Sequence, residues 1–150
     1  MKQAQLFAIG VLGQATFGLL AVVVTRWAFR SWPAGAYTWT PGLIGLAGAL
    51  VLAGLAYVLA VRGLSFVLVA SAWFFGRLAG AIAAAVVPGV GVDPVLVATA
   101  SFGLLVLDGN RLTIGTPSLL ALLAQLAILS LAYLWGKRGR RQRVGSTESA

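Results

Sequence analysis

Between Arg30 and Lys137 the chain carries charge at only five positions, Arg62, Arg77, Asp93, Asp108 and Arg111. A water-facing surface cannot be assembled from that stretch. Soluble domains place about 25% charged residues on and near their surfaces, whereas this 150-residue chain is 9% charged and 60% hydrophobic. The sequence therefore predicts an all-α integral membrane protein, a compact bundle of five hydrophobic helices with no soluble domain. In hydrocarbon every backbone N–H and C=O must find a partner within the chain, which helices provide.

Five apolar runs mark the helices, at about 4–24, 41–61, 64–87, 94–107 and 117–135, so that the bundle occupies 1–136. The first is about 21 residues long, enough at about 1.5 Å per residue to cross a hydrocarbon core of about 30 Å. A cleaved signal peptide, with Lys2 at its start and Ala34-Gly35-Ala36 as a cleavage site, is the competing reading. The length of the apolar run and the intervening Arg26 and Arg30 argue against it. Residues 25–40 interleave Trp27, Phe29, Trp32, Tyr37 and Trp39 with those arginines, as expected of an interfacial belt at headgroup level; an aromatic ligand cage is the alternative.

Three helix starts share one grammar: Thr40-Pro41, Asp93-Pro94 and Thr116-Pro117. A short oxygen-bearing side chain caps free N–H groups, and proline takes the first helical position, where its missing N–H costs nothing. Arg62-Gly63 makes a tight turn and Pro88-Gly89 ends the third helix. The fourth run is apolar on every face, yet its about 14 residues reach only about 21 Å. Its end, from Leu105 through Asp108-Gly109 to Ile114, also has the pattern of a β-hairpin.

Topology follows from the basic residues. With four crossings, Lys2, Arg62 and the tail residues Lys137, Arg138, Arg140, Arg141 and Arg143 share one side, opposite Arg26, Arg30 and Arg111. With five, Arg26 and Arg30 join the tail, opposite Lys2, Arg62 and Arg111. Each division is seven against three, so the C-terminus is expected in the cytoplasm either way, in a multi-pass protein of the plasma membrane. A helix apolar all round is uncomfortable at an interface, which tilts the balance towards five.

Arg77 falls near the middle of the third helix. A charge at that depth costs from about 2.5 to more than 10 kcal/mol, so it is expected to face the bundle interior and to need partners. Gln14 and Gln125 lie at similar depth, and an amide carbonyl accepts from a guanidinium. An intramembrane cluster of Arg77, Gln14 and Gln125 is expected, with Ser71, Thr16 or Ser130 as further members. Asp93 and Asp108 lie nearer the membrane edges. Arg77 either ties helices together or binds an anionic solute in transit. Trp73, Gly80, Ala81 and Ala84 share its face, and Ala72, Gly76, Gly80 and Ala84 form a small-xxx-small series that admits a second backbone closely. That second backbone belongs to the same chain or, as the minority reading, to another copy.

Cysteine and histidine are absent, which removes disulfides, thiolate metal sites and the usual general base. Phosphate-binding loops, His-Glu metal helices and Gly-x-Ser-x-Gly turns are also missing from the sequence. No cofactor, metal or catalytic residue is therefore expected, and the protein is read as a non-enzyme. The net charge of +8 resides mostly in the tail 137–150, expected to be disordered and to lie on anionic lipid headgroups; no nucleic acid is expected as a partner. The functional expectation is an accessory or structural bundle that packs with itself or with a larger membrane complex. A small transporter or channel using Arg77 is the alternative.

Overall fold

A computed structural model describes residues 2–31, 40–87, 94–104, 106–108, 111–113 and 116–147. The chain forms α1 (Gln3–Ser31), α2 (Thr40–Val61), α3 (Phe66–Ala85), α4 (Pro94–Phe102), a hairpin of β1 (Val106–Asp108) and β2 (Arg111–Thr113), and α5 (Thr116–Thr147). Among the described residues, four helices are long and apolar enough to cross a membrane: those containing Gln3–Trp27, Gly42–Val61, Phe66–Ala85 and Ser118–Arg141. The starts of α2, α4 and α5 fall where the Thr-Pro and Asp-Pro pairs predict them.

Several boundaries differ from expectation. The fourth helix stops at Phe102 instead of reaching 107, and the residues beyond it pair antiparallel, Val106 with Thr113 and Asp108 with Arg111. Gly103 causes the break: at φ +67° it adopts the left-handed conformation that closes helices. The third helix begins at Phe66, not 64, because Ser65 is its cap; the hydroxyl accepts from the Leu68 N–H at 3.4 Å. The first helix continues to Ser31, into the expected connector, whose residues Trp32, Tyr37 and Trp39 lie outside the described residues.

The basic tail is also a correction. Residues expected to be disordered from 137 onward continue α5 as helix to Thr147. Lysine, arginine and glutamine are good helix formers, and cations near a helix C-terminus favour its dipole. Residues 148–150 lie outside the described residues.

The most extensive packing is between α1 and α3, followed by α2 against α5, with α4 wedged against α3 and α1. One hydrophobic cluster joins Leu6, Leu59, Leu64, Val69 and Leu129. It brings the start of α1, the end of α2, the start of α3 and the middle of α5 together. Ring contacts join Phe66 to Tyr133 and Tyr57 to Trp135. A second cluster, Val22, Ala81, Ala84, Val97 and Ala100, fills the space between α1, α3 and α4.

Candidate functional site

Between these clusters lies Arg77, one helical turn after Trp73 and one before Ala81. Its whole helix face is buried: Val69, Ala72, Trp73, Gly76, Gly80, Ala81 and Ala84 line up with it. The small residues admit α1. A Cβ on Gly76 would stand 2.5 Å from Gln14 Cβ and 2.7 Å from the Val11 carbonyl oxygen, and one on Gly80 would stand 2.5 Å from the Ala15 carbonyl oxygen. The series expected from the sequence is thus occupied by this chain's own first helix, which sets Gln14 directly beside the arginine.

Arg77 is 1% exposed, the largest of the fully buried side chains. Nε donates to Gln14 Oε1 at 2.8 Å, NH1 to the Ser101 carbonyl at 2.8 Å and NH2 to the Gly48 carbonyl at 3.4 Å. The guanidinium carbon stands 4.1 Å from the centre of the Phe17 ring, a cation–π contact that gains strength where water is excluded. Four segments therefore meet on one side chain: α1 through Gln14 and Phe17, α2 through Gly48, α3 through Arg77 itself and α4 through Ser101. These acceptors are neutral oxygens. The side chains of Asp93 and Asp108, considered as more distant partners, lie outside the described residues.

The physical reason for this convergence is the end of α4. The last four carbonyls of a helix have no partner within it, and here they end in the middle of the bundle. Gly103 N–H donates to the Ala100 carbonyl at 3.0 Å and Leu104 N–H to the Thr99 carbonyl at 2.9 Å, the paired closure of a Schellman motif. The remaining two are met by side chains from other helices. Arg77 takes the Ser101 carbonyl, and Gln125 Nε2 donates to the Phe102 carbonyl at 2.7 Å. A helix C-terminus carries a partial negative charge of about half an electron, so α4 also offers the buried cation the electrostatic partner that no carboxylate supplies among these contacts. Ser101 completes the arrangement by donating its hydroxyl to the Arg77 carbonyl at 2.6 Å.

Gln14 and Arg77 thus meet as expected from their depth. Gln125 joins the same node one carbonyl away, on Phe102, and its Oε1 has no partner. Thr16 and Ser130 do not join; each hydroxyl donates to the carbonyl four residues earlier in its own helix, at 2.9 and 2.8 Å. Sequence reasoning missed Ser101, Gly48 and Phe17. Two of these contribute backbone oxygens, which composition does not reveal, although Ser101 followed by Gly103 in an otherwise apolar run is the signal of a buried helix end.

A small, partly open cavity beside Gln14, lined by Gly10, Leu52, Ala72 and Trp73 among others, is about 10 Å³, at most one water molecule. Among the described residues no group of three or more potential metal ligands occurs. In the basic tail, Lys137, Arg138 and Arg141 are exposed, Arg140 lies over Gly63 in the α2–α3 turn, and Arg143 falls on the helical continuation of α5. No family model, curated protein or solved structure matches this chain.

Proposed function

We propose that this chain is a non-enzymatic integral membrane protein, an accessory or structural bundle that packs with itself or with a larger membrane complex. The observation that carries this reading is the direct coordination of Arg77 by protein oxygens from three other helices. A solute pathway requires a wet cavity at the charge, whereas a structural tie requires protein acceptors on its nitrogens, and protein acceptors are what the guanidinium has. Four helices cross the bilayer, and α4, at nine residues or about 14 Å, enters it and returns through the hairpin. Four crossings put both ends of the chain on one face, which the packing of Leu6 with Leu59 and Leu64, of Tyr133 with Phe66 and of Arg140 over Gly63 supports. The seven basic residues of Lys2, Arg62 and the tail then face the cytoplasm, in the plasma membrane, by the positive-inside rule.

One observation favours the transporter reading. A half-helix ending at mid-depth on a buried polar group is the kind of element from which secondary transporters build binding sites, here with Arg77 as the anion-binding residue. The experiment that separates the readings uses the cysteine-free background. Single cysteines at Gln3 and Ala150 are labelled from the same face in sealed vesicles, one at Trp27 from the opposite face, and Ser101→Cys resists aqueous reagents. Labelling of Ser101→Cys together with an anion flux abolished by Arg77→Gln overturns the structural reading. Labelling of Gln3 and Ala150 from opposite faces overturns the four crossings.

A further inference from the structure

The face of α5 that the bundle leaves uncovered is divided into two chemical zones. Ala132, Tyr133 and Gly136 turn inward, and Arg140 lies over the α2–α3 turn. Leu131, Leu134 and Trp135 turn outward and are 66%, 53% and 74% exposed. One turn further along the same face stand Arg138 and Arg141, both exposed. The layer of lipid headgroups on each side of a bilayer is roughly 5–7 Å deep, or about four residues of helical rise. With Trp135 at the edge of the hydrocarbon, Lys137 to Gly139 occupy that layer and Arg141 stands just beyond it.

Trp135 is also the shared wall of two open grooves. The first, about 370 Å³, lies between α2 and α5, lined by Ala53, Gly54, Tyr57, Ala132 and Trp135. The second, about 450 Å³, runs along α5 past Leu131 and Leu134 and ends at Arg138. Tyr57 meets Trp135 edge-on, with ring centres 6.5 Å apart, and its hydroxyl rises to the level of Gly139. Two apolar grooves that share Trp135, one of them lined by Arg138 as well, suit a diacyl phospholipid, with two chains and one phosphate.

We propose that this face binds one anionic phospholipid of the leaflet at the basic end, its acyl chains on either side of the Trp135 indole and its phosphate on Arg138, with the Tyr57 hydroxyl at the same level and Arg141 just beyond. The positive charge selects the sign of the headgroup, and the two grooves select a lipid over a free anion. The proposal rests on the membrane reading above.

The test uses the full chain in detergent, with phosphatidylglycerol, phosphatidylcholine or inorganic phosphate added, followed by thermal unfolding and by native mass spectrometry. The expected result is one retained phosphatidylglycerol and a raised melting temperature, with neither effect from phosphatidylcholine or phosphate. Arg138→Gln is expected to weaken retention roughly fivefold, the effect of one basic residue near an anionic surface. Gly54→Leu fills the first groove, and because a Cβ at Gly54 meets nothing within 4 Å and leucine is the better helix former, the lipid-free melting temperature does not fall while retention does. Equal retention of phosphatidylcholine, an effect of phosphate alone, or unchanged retention in both variants overturns the lipid site. Flotation with phosphatidylglycerol vesicles separates the two claims. A chain that fails to float defeats the membrane reading as well, whereas one that floats but shows no preferential retention of phosphatidylglycerol in detergent defeats only this site.

Discussion

Arg77 and Ser101 hold each other in both directions: the guanidinium NH1 donates to the Ser101 carbonyl at 2.8 Å, and the Ser101 hydroxyl donates to the Arg77 carbonyl at 2.6 Å. Because Ser101 is the penultimate residue of α4, this exchange docks the end of a short helix onto the middle of a long one. A buried charge and a buried helix terminus, each costly alone, offset one another.

Replacing Arg77 with Gln is expected to destabilise the fold by several kcal/mol, since each buried acceptor left without a donor costs about 1–3 kcal/mol. The acceptors on Gln14, Ser101 and Gly48 lose the donor that reached all three. Arg77→Lys keeps the charge but not the planar fork and falls between wild type and Arg77→Gln. Thermal unfolding in detergent checks the order, and a Lys variant as weak as the Gln variant contradicts it.

The two glutamines are expected to differ. Gln14→Leu removes an acceptor from a charged donor, worth about 1.5–3 kcal/mol, whereas Gln125→Leu removes a neutral bond worth about 0.5–1.5 kcal/mol. The second change also eliminates the unpartnered Gln125 Oε1, which lowers its net cost further. A double-mutant cycle is expected to couple Gln14 with Arg77 by about 0.5–3 kcal/mol and Gln125 with Arg77 by less. Equal coupling energies contradict the assignment.

Gly80 and Gly103 resist substitution for different reasons. Gly80→Ala brings a Cβ to 2.5 Å from the Ala15 carbonyl oxygen and 2.9 Å from the Leu19 nitrogen. Both are backbone atoms that cannot swing aside, so α1 and α3 must separate, at a cost of about 1–3 kcal/mol. At Gly103 the same Cβ finds ordinary contacts at 3.7 and 3.8 Å, but φ is +67°. The cost there is conformational, about 1–2 kcal/mol, and Gly103→Asn is expected to recover part of it, because asparagine tolerates the left-handed region. Unfolding midpoints of the three variants check the distinction; Gly103→Asn no better than Gly103→Ala refutes it.

Self-association through the Gly76 and Gly80 face is expected to be absent in the folded protein, since α1 fills it. Gly80→Ile therefore lowers stability without changing a cross-linking pattern. Selective loss of a cross-linked dimer from a Gly80→Ile protein of normal stability contradicts this expectation.

Class and helix placement were legible because they depend on local quantities. Run length and the scarcity of charge define the long helices, Thr40-Pro41 and Thr116-Pro117 mark their starts, and spacing of about 3.6 residues puts Ala72, Gly76, Arg77, Gly80 and Ala84 on one face. The cost of a buried charge was also enough to call for partners at the depth of Gln14. Tertiary structure alone decided which oxygens answer. Gly48, Ser101 and Phe102 present carbonyls that every residue possesses, and only the ending of α4 inside the bundle leaves two of them open for Arg77 and Gln125. Residue types record what a side chain needs, but a backbone acceptor becomes available only where the fold interrupts a helix, and that interruption is a property of the packed chain.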